Sequence, residues 1–64
     1  MEFYTYVNGG SGLNLNCFLK INPDESVEKV EDLDPTIPSF IPWSVLGDYE
    51  KDLIYLWAKK EGVI

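Results

Sequence analysis

The chain has 64 residues and a formal net charge of −6, with eleven acidic side chains against five basic ones. It contains no histidine, which is the commonest general base and metal ligand, and no arginine, which is the residue that binds phosphate through two hydrogen bonds. This composition argues against an enzyme and against a metal or cofactor site. It also argues against direct binding to nucleic acid or anionic membrane, because both require neutralisation of phosphates. Hydrophobic residues make up 45% of the chain, which indicates one folded domain over residues 1–64.

The first predicted element is an antiparallel β-hairpin. Residues 2–7 are rich in aromatic and β-branched side chains, as strands are, and they stop at the glycine-rich segment 8–12. From Leu13 to Ile21, apolar residues alternate with others, which predicts a half-buried second strand. The apolar face of that strand consists of Leu13, Leu15, Cys17, Leu19 and Ile21. The glycines of the connection can supply the positive φ angles that a hairpin loop needs.

Residues 24–34 form an acidic segment that carries most of the net charge. Its carboxylates belong to Asp24, Glu25, Glu28, Glu31, Asp32 and Asp34, and Lys29 is the one basic residue among them. Apolar residues recur every three positions at Val27, Val30 and Leu33, which favours a short helix capped by Ser26. A third strand through residues 26–30 is the alternative. It would direct Val27 and Lys29 to one face and Glu28 and Val30 to the other.

A proline-rich connector and a C-terminal helix complete the chain. Three prolines between Asp34 and Trp43 exclude a regular element there. The helix that follows is predicted to have its cap at either Ser44 or Asp48 and to end near Gly62. The apolar stripe predicted to cover the hairpin consists of Val45, Leu46, Tyr49, Leu53, Leu56 and Trp57.

These elements predict an α+β fold of two layers. An antiparallel hairpin, with three strands if the acidic segment pairs with it, packs against the C-terminal helix. A two-stranded sheet is a weak scaffold by itself. Either the acidic segment adds a strand or a second subunit pairs with an edge, so a homodimer is one of the expected states.

The acidic segment is the first candidate for a functional surface. A fixed row of carboxylates can imitate the phosphates of DNA and occupy the basic groove of a nucleic-acid-binding protein, while a merely solvated surface is the open alternative. A calcium loop that begins at Asp32 is excluded, because its sixth position is Ile37 instead of glycine and its twelfth is Trp43 instead of glutamate. The aromatic residues of the connector are a second candidate contact, with a role as caps on the core as the alternative.

We therefore expect a non-enzymatic interaction module that docks on a basic protein, as an inhibitor or regulator of the compact type that viruses and mobile elements encode. The residues predicted to bind the partner are Glu28, Glu31, Asp32, Asp34, Phe40 and Trp43. The alternative is a structural subunit that assembles through the edge of its hairpin. The single cysteine, Cys17, and the lack of a signal-like or membrane-spanning apolar run predict a soluble, cytoplasmic protein.

Overall fold

The computed structural model describes residues 2–64, which form a three-stranded antiparallel sheet and one α-helix. The strands are β1 (Phe3–Val7), β2 (Cys17–Ile21) and β3 (Val27–Val30), in the spatial order β1-β2-β3. The helix, α1, spans Asp48–Lys60, and short 3-10 turns occur at Gly9–Ser11 and Trp43–Val45. The predicted α+β arrangement is confirmed.

The acidic segment contributes a strand, so the predicted short helix is wrong and the alternative third strand is right. The turn before β3 is closed by a hydrogen bond from the Glu25 N–H to the Asn22 carbonyl oxygen at 3.0 Å. Glu25 itself has a φ of 71°. A tight turn followed by a left-handed residue is a common three-residue hairpin loop, and it places Val27 opposite Ile21. A helix of so few residues cannot compete, because nucleation outweighs its few hydrogen bonds.

Helix α1 covers one face of the sheet, and the core lies between them. On this face Phe3, Ile21 and Val27 are in register across the three strands. The buried apolar side chains are Phe3, Val7, Leu13, Leu19, Ile21, Leu46, Ile54 and Ala58. The opposite face carries an aromatic group in which Phe18 makes edge-to-face contacts with Tyr6 and Phe40, at centroid distances of 4.7 and 6.3 Å.

The buried line of α1 differs from the predicted stripe. Ile54 and Ala58, one turn apart, are fully buried, whereas Leu56 and Tyr49 of the predicted stripe are 63% and 60% exposed. Leu53 and Trp57 are half-buried at the margin of the core. The helix is therefore rotated about its axis relative to the prediction, and it leaves part of its apolar surface uncovered.

The ends of α1 follow the local sequence. The helix begins at Asp48 and its capping residue is Gly47, so neither predicted cap is right, although Asp48 misses the observed cap by one residue. At the other end Gly62 has a φ of 76°, and the Val63 N–H donates to the Ala58 carbonyl oxygen at 2.8 Å. This six-residue closure is a Schellman motif, which needs a left-handed residue and hence favours glycine.

The connection between β1 and β2 spans residues 8–16 and is longer than the predicted loop. Leu13 is buried in the core from within this connection, and β2 begins only at Cys17. The side-chain oxygen of Asn8 accepts a hydrogen bond from the Gly10 N–H at 2.9 Å. The Tyr55 hydroxyl donates to the Ser11 carbonyl oxygen at 2.7 Å, so α1 holds the loop in place.

The proline-rich connector covers the outer edge of β1. The Tyr4 N–H donates to the Ser39 carbonyl oxygen at 3.1 Å, and the Ile41 N–H donates to the Tyr4 carbonyl oxygen at 2.8 Å. These bonds form a parallel bridge between Tyr4 and Phe40. The β1 edge is thereby occupied at Tyr4, and β3 forms the other edge of the sheet.

Thr5 offers a test of the core, because its side chain is 0% exposed and its hydroxyl has no hydrogen-bond partner within residues 2–64. A buried hydroxyl without a partner costs about 1–3 kcal/mol. We expect Thr5→Val, which keeps the shape of the side chain, to raise the free energy of unfolding by about 1 kcal/mol in urea denaturation. Thr5→Ser is the control, since it keeps the hydroxyl and loses a methyl group. A loss of stability in the valine variant would contradict this account.

Candidate protein-binding surface

The outer edge of β3 carries backbone groups that have no partner among residues 2–64. The Asn22 N–H donates to the Ser26 carbonyl oxygen at 2.8 Å, which marks the first hydrogen-bonded pair of the β2–β3 ladder. Hydrogen-bonded and non-hydrogen-bonded pairs alternate along an antiparallel ladder. Val27 and Lys29 therefore direct their N–H and C=O groups away from β2. We call these outward groups of Val27 and Lys29 the free edge.

A groove lies between β3 and α1, next to the free edge. It has a volume of about 350 Å³, and we call it the β3–α1 groove. Its lining consists of Glu25, Ser26, Val27, Leu53, Leu56, Trp57, Lys60 and Glu61. The apolar part of this lining comes from Val27 and from the side of α1 that the core leaves uncovered. The groove is thus an apolar trough with charged side chains among its lining residues.

The carboxylates of the acidic segment are spread along β3 and its two ends. Asp24 and Glu25 lie in the turn before the strand, Glu28 lies within it, and Glu31 and Asp32 follow it. All of them are exposed. β3 ends at Val30, so of these carboxylates only that of Glu28 lies within the strand. The helical arrangement predicted for Glu28, Glu31 and Asp32 is therefore wrong.

Hydrogen bonds hold several of these carboxylates in place. Asp24 accepts hydrogen bonds from the Ser26 hydroxyl and N–H at 2.6 and 3.1 Å, and these bonds lower the pKa of Asp24. Asp34 accepts from the Thr36 N–H and hydroxyl at 2.9 and 2.8 Å, which lowers the pKa of Asp34 in the same way. The Asn22 amide donates to Glu28 at 3.1 Å. Asp24 and Asp34 therefore stay ionised below the pH at which an ordinary aspartate is protonated.

Glu25 links the acidic segment to the helix. Its carboxylate accepts a hydrogen bond from the Tyr49 hydroxyl in the first turn of α1, and this bond raises the pKa of Tyr49. The contact joins the β2–β3 turn to α1 beside the groove, since Glu25 also lines it. It gives the turn a second attachment in addition to the sheet pairing.

Phe40 and Trp43, which the sequence also predicts as partner-binding residues, lie away from the free edge. Phe40 is half-buried against Phe18 and belongs to the segment that covers β1. Trp43 is half-buried with its ring edge-on to Tyr55 at 6.2 Å. Neither residue lines the β3–α1 groove. The structure thus places Glu28 in β3 and Glu31, Asp32 and Asp34 after it, and it places the two aromatic residues elsewhere.

Sequence reasoning missed the residues of the groove, above all Leu56 and Trp57 as part of a binding surface. The apolar stripe predicted from the sequence places both residues on the face that covers the sheet. One signal for them exists in the sequence, because apolar side chains occupy more of the circumference of α1 than one buried face requires. Such an excess is typical of a helix that contacts something beyond its own domain.

Comparison with known protein families, curated proteins and solved structures gave no match. Within residues 2–64, no helix has the length and apolarity needed to cross a bilayer. The same residues contain no group of three or more side chains placed to hold a metal ion.

Proposed function

We propose that the protein is a non-catalytic interaction module, an inhibitor or regulator, that docks on a basic surface of another protein through β3 and its flanking carboxylates. The observation that carries this proposal is that the acidic segment contains strand β3, at the open edge of the sheet, and that all six carboxylates of the segment are exposed. The charges are therefore presented in a fixed arrangement. A fixed field of one sign speeds encounter with a partner of opposite sign and disfavours partners of like sign.

The arrangement supports acidic docking more than a copy of the DNA backbone. A helix would have offered closely spaced carboxylates on one side, whereas Glu28 lies within β3 and Glu31 and Asp32 lie in the bend after it. The attraction to a basic surface does not depend on an even spacing, because it acts over a Debye length of about 10 Å at 0.1 M salt. A protein that binds in this way blocks the basic surface against its other anionic ligands.

The test is affinity capture with the whole chain at low and at physiological salt, with identification of the captured proteins and their charge. We expect basic proteins to be captured at low salt and released as salt rises. Neutralising the end of β3 with Glu31→Gln and Asp32→Asn should lower the captured amount by about tenfold, which corresponds to 1.4 kcal/mol.

The matched control removes the same charge from α1, with Asp48→Asn and Asp52→Asn, and should leave capture nearly unchanged. Equal loss in the two double variants would show that net charge alone acts, and would contradict a docking surface at β3. Binding that is insensitive to salt would point to the connector with Phe40 and Trp43 as the contact.

A further inference from the structure

The two edges of the sheet differ in the hydrogen bonding of their outward backbone groups. The connector residues 39–41 pair with Tyr4 of β1, so the outward backbone groups of Tyr4 are satisfied. The outward groups of Val27 and Lys29 have no backbone partner within residues 2–64. An exposed edge of this kind is a template for one more strand. The free edge is therefore the place where an extended segment can add to the sheet.

A second copy of the chain fits this edge poorly. Residues that lie opposite each other in a continuous sheet share a face. Two copies related by a twofold axis would pair their β3 strands antiparallel, with the same residue of each copy on the axis. The two strands overlap most when that residue is Glu28 or Lys29. The first places two Glu28 side chains opposite each other, and the second does the same with two Lys29 side chains. Like charges directly opposite each other destabilise strand pairing. A strand of different sequence avoids this repulsion.

The β3–α1 groove indicates what one face of that strand contains. Side chains of a strand alternate between the two faces, so every second residue of an added strand points to the side of α1. There the groove presents Leu53, Leu56 and Trp57 beside Val27. Leu56 is the most exposed of these and has no place in the core. An apolar side chain next to Val27 would cover this surface.

Glu28 indicates what the other face contains. It lies on the face away from α1, opposite Lys20 of β2. A residue placed across from Glu28 on an added strand meets a carboxylate directly. Opposite charges at such positions stabilise the pairing, so a basic residue is favoured there.

We propose that the free edge and the β3–α1 groove bind an extended segment of the partner protein in which apolar and basic residues alternate. The segment adds a fourth, antiparallel strand beside β3, with its apolar side chains in the groove and a basic side chain beside Glu28. This inference rests on the proposed function and specifies its partner. Backbone pairing supplies affinity in this mode, and the alternating side chains supply specificity.

The probe is a synthetic peptide of alternating lysine and leucine, about eight residues long, which is within the usual length of a strand. The control peptide has the same sequence but is N-methylated at each leucine, so it keeps its charge and cannot pair with the free edge while its leucine side chains face the groove. We expect the first peptide to bind and to slow amide hydrogen exchange at Val27 and Lys29 by about tenfold or more. The methylated peptide should bind at least about tenfold more weakly.

Two matched variants of the chain separate the groove from general hydrophobicity. Leu56→Ala should weaken binding of the alternating peptide by about tenfold. Val45→Ala removes a side chain that is 66% exposed and lies outside the groove, and it should leave binding unchanged. An equal effect of both variants would contradict docking in the groove.

The outcomes also separate this inference from the proposed function. Equal binding of both peptides, weakened by Glu31→Gln and Asp32→Asn, would overturn the added strand and leave acidic docking intact. If these substitutions change neither peptide binding nor partner capture, the proposed function is overturned as well. A concentration-dependent dimer in light scattering, with slowed exchange at Val27 and Lys29 in the absence of peptide, would show that a second copy occupies the edge and would overturn the inference.

Discussion

Replacement of Ile54 by alanine is expected to lower the free energy of unfolding by about 2–5 kcal/mol. Ile54 is 0% exposed and lies on the line of α1 that faces the sheet, so the truncation leaves a cavity in the centre of the core. Domains have stabilities of roughly 0.05–0.15 kcal/mol per residue, so this loss is a large share of the total for so short a chain. Urea denaturation followed by tryptophan fluorescence measures it.

Leu56→Ala is the matched control on the same helix. Leu56 is 63% exposed, and its truncation should cost less than about 1 kcal/mol. The stripe predicted from the sequence includes Leu56 and omits Ile54, so the two orientations of α1 predict opposite orders of stability. A larger loss in the Leu56 variant would contradict the observed orientation. The small expected loss also makes Leu56→Ala suitable for the peptide experiment, because the variant remains folded.

The existence of α1 could be predicted from the sequence, but its rotation could not. Gly62 and the basic residues before it mark the end of the helix, since those signals act within a single turn. Apolar side chains occur at Leu53, Ile54, Leu56 and Trp57 and so surround much of the helix. Which of them face inward is decided by the shape of the sheet beneath them, and a helical wheel contains no information about that shape.

Strand β3 shows a second limit of local patterns. Val27 and Val30, three residues apart, fit one turn of a helix and also fit the two faces of a strand. The decision comes from the turn at residues 22–25, which returns the chain to β2, and from pairing with residues that are distant in sequence. The turn residues predict the end of the preceding strand from the sequence alone. Their consequence, a third strand in register with Ile21, depends on tertiary contacts.

The charge of the candidate surface could be predicted from the sequence, but its shape could not. The sequence shows the carboxylates of Glu28, Glu31 and Asp32, and it shows that acidic residues outnumber the one basic residue, Lys29, in this segment. Their position along an open sheet edge follows only once β3 is known to be a strand. The β3–α1 groove depends on two elements at once, because its walls come from β3 and from the side of α1 that does not face the core.

Leu13→Ala is expected to have an effect as large as that of Ile54→Ala, about 2–5 kcal/mol, although Leu13 lies in a loop. Its side chain is 1% exposed and belongs to the core. The loop cannot readily collapse into the cavity, because Gly12 before it has a φ of 86° and the Tyr55 hydroxyl holds Ser11. Denaturation under the conditions used for Ile54 gives the comparison.

Leu15→Ala is the control for Leu13, because both leucines belong to the strand face predicted from the sequence. A continuous strand from Leu13 to Ile21 would bury both side chains and predict similar losses. In the structure β2 begins at Cys17, and Leu15 is only half-buried, so its truncation should cost about 1–2 kcal/mol. Equal losses would support the longer strand and contradict the observed loop. A clear difference would show that this glycine-rich connection contributes Leu13 to the core from outside the strand.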